Sequence, residues 1–168
     1  MKTLKWLDDN IEKALGSVLL AIATIIIALQ IIFRWTSILP LDWTEEIARY
    51  LFVWIIYIGV AYGVKQRAHI SVEILTVFAK PRGKFILAMI SNVLFFIFAL
   101  VISYHGILLL GKITKFWQTS PAVKVPMVIP YSSYVLGFIL VMVRLIQDSI
   151  LRIKEEKLRI LSLKEEEK

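Results

Sequence analysis

Cysteine is absent from the chain, which excludes a disulfide scaffold, a thiolate metal site and a cysteine nucleophile. Histidine is scarce: His69 and His105 are the two present. His105 lies 20 residues past Phe85, about 30 Å along a helix, and His69 precedes that helix. The pair cannot ligate one centre, and no acid cluster accompanies either residue. No metal, haem or other cofactor is expected, and His105 reads as a hydrogen-bonding side chain near a membrane surface. Formal charge is missing from the middle of every long apolar run, where Gln30, Ser91 and Asn92 are the main polar residues. A transporter acting alone usually shows mid-membrane acids, broken helices or paired repeats. No internal repeat is present, and nothing suggests an enzyme.

Apolar residues make up 58% of the 168 residues, against about 45–50% in soluble domains, and mean hydropathy is +0.74. The excess is concentrated in four uncharged runs at 15–33, 50–64, 85–111 and 125–143. About 20 helical residues cross a bilayer. The pattern therefore predicts an all-α integral membrane protein, a single membrane domain over 1–168 with four transmembrane helices. The spans are expected at roughly 15–34, 43–65, 84–110 and 127–150. The first run passes into "LQIIFRW" without a small-x-small cleavage pattern, so a retained helix is expected rather than a signal peptide.

Net charge is +7, but the basic residues cluster at run ends, where orientation signals and lipid headgroups account for them. No nucleic-acid partner is expected. Lys2, Lys5 and Lys13 precede the first run, and Lys65, Arg67, Lys80, Arg82 and Lys84 fall between the second and third. Arg152, Lys154, Lys157, Arg159, Lys164 and Lys168 follow the fourth, whereas the alternate side carries only Arg34, Lys112, Lys115 and Lys124. Both termini are expected in the cytoplasm. Near 3–14, Leu4, Leu7, Ile11 and Leu15 oppose Asp8, Glu12 and Lys13. Near 71–79, Ser71 can cap a turn carrying Ile74, Leu75 and Phe78. Both are expected as short amphipathic helices on the membrane surface. Arg144 and Asp148, four residues apart, can snorkel or pair at the cytoplasmic end of the last span. The tail at 152–168 is expected to continue that span as a solvated helix. The outer loop at 111–130 is proline-punctuated and shows no regular period.

The stretch "DWTEEIARYLFVW" opens the second span with charge. Asp42 and Glu45 match a capping box, and Arg49 is within reach of Glu45 and Glu46. At 100° per residue, Glu45, Arg49, Phe52, Ile56, Gly59 and Gly63 fall within about 80° of arc. Gly59 and Gly63 form a G-x-x-x-G spacing that admits a second helix, so this side is expected inside the bundle. Trp43, Glu46, Tyr50, Trp54 and Tyr57 gather opposite. Trp54 and Tyr57 lie about 16 and 21 Å along the helix from Trp43, too deep for one aromatic belt. This favours contact with another protein.

Residues 45–75, "EEIARYLFVWIIYIGVAYGVKQRAHISVEIL", resemble the signature region of the small membrane subunit of TRAP (tripartite ATP-independent periplasmic) transporters. The matching positions are Glu45, Glu46, Arg49, Trp54, Gly59, Ala61, Arg67, His69, Ile70 and Glu73. Glu73 replaces a more usual aspartate, and Ala68 a common glycine. The resemblance implies a multi-pass protein of the bacterial inner membrane. It further implies a large permease subunit of about twelve spans carrying sodium and substrate, and a soluble periplasmic binding protein. The imported solute would be an organic acid of C4-dicarboxylate or sialic acid type. This chain would then be a non-catalytic subunit bracing the static scaffold. The alternatives are a self-contained oligomeric four-helix channel or exporter, which lacks the polar membrane-facing stripe it would need, and a membrane-embedded enzyme or electron-transfer subunit.

Overall fold

A computed structural model describes residues 2–36, 42–67 and 81–166. Four helices account for nearly all of them: α1, Lys2–Thr36; α2, Asp42–Lys65; α3, Pro81–Lys115; and α4, Val128–Glu166. Each is long and apolar enough to cross a membrane. Proline starts α3 and occupies the first turn of α4, positions where its missing N–H would have no helical acceptor anyway. The helices alternate in direction, so the starts of α1 and α3 and the ends of α2 and α4 share one side of the bundle. The 116–127 connection lies on the other.

Two sequence expectations meet the structure differently. No break separates the segment expected near 3–14 from the first span: α1 runs through both. The surface helix expected near 71–79 lies outside the described residues. The C-terminal tail does continue α4, to Glu166.

The helices form a row in the order α1, α2, α4, α3, in which α4 packs on both α2 and α3 and α1 packs on α2. The first and last spans of the row are its edges. In lipid, apolar surface gains little by leaving one hydrocarbon for another, so close packing and polar contacts must hold helices together. Small residues supply the close packing. Ala61 and Ala99 are fully buried beside Val64, Phe138, Val141 and Leu145. Gly137 of α4 lies under Tyr57: a Cβ there would sit 2.5 Å from the Tyr57 Cβ. Gly106 of α3 lies equally close to Tyr134 and Val135 of α4. Around these contacts the rings of Tyr57, Tyr134, Phe138 and Phe98 tile the seam at centroid spacings of 5.7–6.1 Å, within the favourable range for aromatic pairs.

Polar contacts supply the rest, at the end that carries the termini. Glu12 of α1 and Arg144 of α4 are 2% and 5% exposed, and the Arg144 Nε donates to the Glu12 carboxylate. Lys65 of α2 lies 3.8 Å from the other Glu12 oxygen. The expected Arg144–Asp148 pairing is therefore replaced. Asp148 instead accepts from Arg67 Nε at 2.7 Å, from Asn92 Nδ2 at 2.9 Å, and from Arg152. The reason is competition: partners on other helices, Glu12 for Arg144 and Arg67 and Asn92 for Asp148, displace the neighbour four residues away. Glu12, expected on the solvated side of a surface helix, is buried because Arg144 needs it.

Replacing Gly137 by alanine should destabilise the isolated protein by about 1–3 kcal/mol, the range for overpacking. Gly111→Ala, where the added methyl meets nothing within 4 Å, should not. Thermal unfolding in mild detergent distinguishes them. Glu12→Ala should cost about 3–5 kcal/mol by stranding Arg144, whereas converting both to methionine should recover most of that loss. A double-mutant cycle on unfolding temperature checks this.

Candidate assembly site

Glu46 is the centre of the opposite end. The connection from α3 to α4 is a tight hairpin rather than an irregular loop. Met127 N–H donates to Gln118 O, Ser120 N–H donates to Val125 O, and Thr119 bridges Pro126. Lys124 at its tip and Trp117 at its base take positive φ values of 60° and 46°. The turn leaves the N–H groups of Ala122 and Val123 pointing the same way. Both donate to one oxygen of Glu46, at 3.0 and 2.9 Å. The Tyr50 hydroxyl donates to the other oxygen, and the Met127 sulfur lies 3.4 Å from that hydroxyl. Two backbone donors that would otherwise go unpaired next to hydrocarbon, where each costs several kcal/mol, are thereby satisfied. An α2 carboxylate one turn into the helix fixes the hairpin over the bundle.

The two acids of "EEIAR" therefore have separate roles. Glu45 pairs with Arg49 at 3.0 Å, but both side chains are about two-thirds exposed, at 66% and 69%. Exposed pairs of this kind contribute little. Glu46, at 9%, does the holding.

Helical phase separates the two faces of α2 as expected, but their orientation is the reverse. Glu46, Tyr50 and Tyr57 face α4 and the hairpin, with Trp54 half-buried beside them and Trp43 44% exposed. The side carrying Glu45, Arg49, Phe52, Ile56 and Gly59 is exposed, and Gly63 is half-buried. Nothing approaches within 4 Å of the position a Cβ would take at Gly59 or Gly63. The physical reason is that Glu46 must reach the hairpin donors and Tyr57 must cover Gly137. Together they turn the glycines outward. The close-approach glycines of this fold are Gly106 and Gly137.

Of the cytoplasmic turn motif, Arg67 is described, and His69 and Glu73 lie outside the described residues. Arg67 has φ 55°, a left-handed conformation just past α2 that ends the helix and swings the guanidinium under α4. There it grips Asp148 through Nε and both Glu155 oxygens at 3.1 Å through its two terminal nitrogens. The hydrogen bonds to Glu155, with those to Asp148, hold its proton more firmly than usual, overcoming the opposing effect of burial. His105 is exposed, its ring edge-on to Tyr104 at 5.5 Å. Among the described residues no group of three His, Asp or Glu side chains could hold a metal ion.

Sequence reasoning missed Glu12 and the hairpin donors. The signal for Glu12 was an arginine, Arg144, deep enough in the last span to require an anion. The signal for the hairpin was Ser120 and Pro121 before a short tip, a turn composition.

The profile of the DctQ component of the tripartite ATP-independent periplasmic transporters matches residues 23–155. Over 152 residues the chain is 36% identical to the isethionate TRAP transporter permease protein DctMQ of Oleidesulfovibrio alaskensis, covering 86% of this chain and 24% of that protein. Over 111 residues it is 29% identical to the sialic acid TRAP transporter small permease protein SiaQ of Vibrio cholerae, covering 66% and 61%. Over 73 residues it is 34% identical to the sialic acid TRAP transporter permease protein SiaT of Haemophilus influenzae, covering 44% and 12%. The chain spans less than two thirds of the length of each of these relatives. It belongs to the DctQ component family of the tripartite ATP-independent periplasmic transporters.

Proposed function

We propose that this four-span protein of the bacterial inner membrane braces a large, sodium-coupled permease subunit, docking to it through the open face of α2. The complex would import an organic acid, of C4-dicarboxylate or sialic acid type, delivered by a periplasmic binding protein. Both termini would lie in the cytoplasm, as the distribution of lysine and arginine favours. The Glu46 hairpin would then face the periplasm.

One observation carries the bracing role. Among the described residues, the buried charges of the bundle are spent on one another: Glu12 on Arg144 and Lys65, and Asp148 on Arg67 and Arg152. That leaves no buried cation to receive an organic anion and no carboxylate cage for an ion. Meanwhile, among the described residues, nothing lies within 4 Å of where a Cβ would sit on the exposed Gly59 or the half-buried Gly63, a spacing that lets a second helix approach closely in a membrane. Phe52 and Ile56, 56% and 46% exposed, would extend that contact. In the isethionate relative the matched segment is a minor part of a longer permease chain, consistent with a unit that works attached to a larger one.

Gly59→Leu tests the docking face. The isolated subunit should keep its unfolding temperature, because the added side chain meets nothing within 4 Å. Co-purification with the large permease subunit and solute uptake should both fall about tenfold or more, the effect of losing roughly 1.4 kcal/mol of helix contact. Intact co-purification and uptake would remove α2 from the interface. Glu46→Gln should act differently, loosening the hairpin by about 1–3 kcal/mol. Amide exchange at Ala122 and Val123 should accelerate in the isolated subunit, and unchanged exchange would show that Glu46 does not anchor the loop.

A further inference from the structure

Because α2 and α3 both pack on α4 but not on each other, they diverge at the hairpin end and leave a cavity of about 890 Å³ between them. Its walls and its mouth differ in chemistry. Val53, Tyr57, Ile102 and Leu109 line the interior. Asp42, Glu45 and Arg49 stand at the mouth, about 16, 12 and 6 Å from Val53 along α2. The polarity therefore changes from charged to apolar along the membrane normal, in the sense that a lipid does.

The charges select among lipids. Glu46 is occupied by the hairpin and Arg49 leans on Glu45, while Asp42 has no hydrogen-bond or ion-pair partner among the described residues. Three carboxylates and one guanidinium line this end of the cavity, so a lipid of net negative charge meets repulsion at the mouth. A headgroup carrying a primary ammonium and a phosphate fits both signs. The ammonium can donate to Asp42 and Glu45, and the phosphate can accept from Arg49. A quaternary ammonium has no N–H to donate and fits less well. The volume is in the range of built small-molecule sites and takes a headgroup with the upper part of one acyl chain.

We propose that this cavity is a binding site for an amine-headed zwitterionic phospholipid, one acyl chain lying between α2 and α3 against α4 and the headgroup held by Asp42, Glu45 and Arg49. The lipid fills the gap left by the row arrangement and ties the outer ends of α2 and α3 together. Its acyl part lies along the Val53 and Tyr57 side of α2, while its headgroup residues Glu45 and Arg49 stand at the outer end of the open face.

The test uses phosphatidylethanolamine carrying a photoactivatable acyl chain, incubated with the purified full chain and with its complex, followed by peptide mapping. Labelling should concentrate within 42–57 and 102–134. Unlabelled phosphatidylethanolamine should compete about tenfold better than phosphatidylglycerol, with phosphatidylcholine between them. Asp42→Asn with Glu45→Gln should reduce that preference to about twofold. Leu109→Trp, a half-exposed wall position, should fill the cavity and suppress labelling without lowering the unfolding temperature. Equal competition by the three lipids in the unaltered protein would overturn the proposal, as would labelling that survives Leu109→Trp. So would labelling of the isolated subunit that disappears in the complex, since the cavity would then belong to a segment of the partner.

Discussion

Asp148 is the residue on which the arrangement of helices most depends. Its carboxylate sits 7% exposed on α4 and takes donors from the end of α2, from the middle of α3 and from its own helix. A carboxylate at that burial cannot stay charged without partners, so it draws Arg67 and Asn92 toward α4 and sets α4 between α2 and α3. One turn earlier, Arg144 imposes the same requirement on α1 through Glu12. The row order follows from these two demands, because the contacts of Glu12, Arg67 and Asn92 across spans converge on α4, with Lys65 of α2 sharing Glu12. Apolar side chains alone would not choose this order, since hydrocarbon outside the protein solvates them as well as hydrocarbon inside.

The two ends of the bundle are closed by different chemistry, and the difference suits what each must hold. At the terminal end, whole helices are tied by full charges whose reach tolerates long side chains. At the hairpin end, the objects to be held are two backbone N–H groups. A single carboxylate suits them because one oxygen can accept both bonds while the other accepts from Tyr50. Between the ends lies a seam built from absent side chains, Gly106 and Gly137, into which Tyr134 and Tyr57 fit. The middle is held by shape, and the ends are held by charge.

Much of this was legible in the sequence. Helix number and the separation of two faces on α2 follow from hydropathy and a 3.6-residue period. The family resemblance follows from the run of residues around "EEIARYLFVW". What did not follow was which face of α2 points inward. A G-x-x-x-G spacing is the same whether the approaching helix belongs to this chain or to another, and the choice depended on a hairpin tip 76 residues away in sequence from Glu46. Asn92 stood out as a polar interruption, yet its partner lies 56 residues further on, and no local pattern links the two. Pairing at four-residue spacing correctly gave Glu45–Arg49. It failed for Arg144, where a buried partner on another helix outcompetes a neighbour already taken.

The inward turn of Glu46 also bears on what the subunit does. If the acids of "EEIAR" formed an ion site, one of them would have to keep a free lone pair directed at a polar cavity, with its charge uncommitted. Glu46 has spent its oxygens on the hairpin and Tyr50, and Glu45 is paired at the surface with Arg49. The charged opening of α2 thus works as a joint between a helix and a loop. Among the described residues the buried charges are committed to the shape of the bundle, which is what the proposed bracing role requires. That commitment has a further consequence at the glycine face. Because Tyr57 over Gly137 and Glu46 on the hairpin fix the rotation of α2, Gly59 and Gly63 are presented in a set orientation before any partner arrives. In the proposed docking, a partner helix would meet a preformed groove, with little conformational entropy left to lose on association.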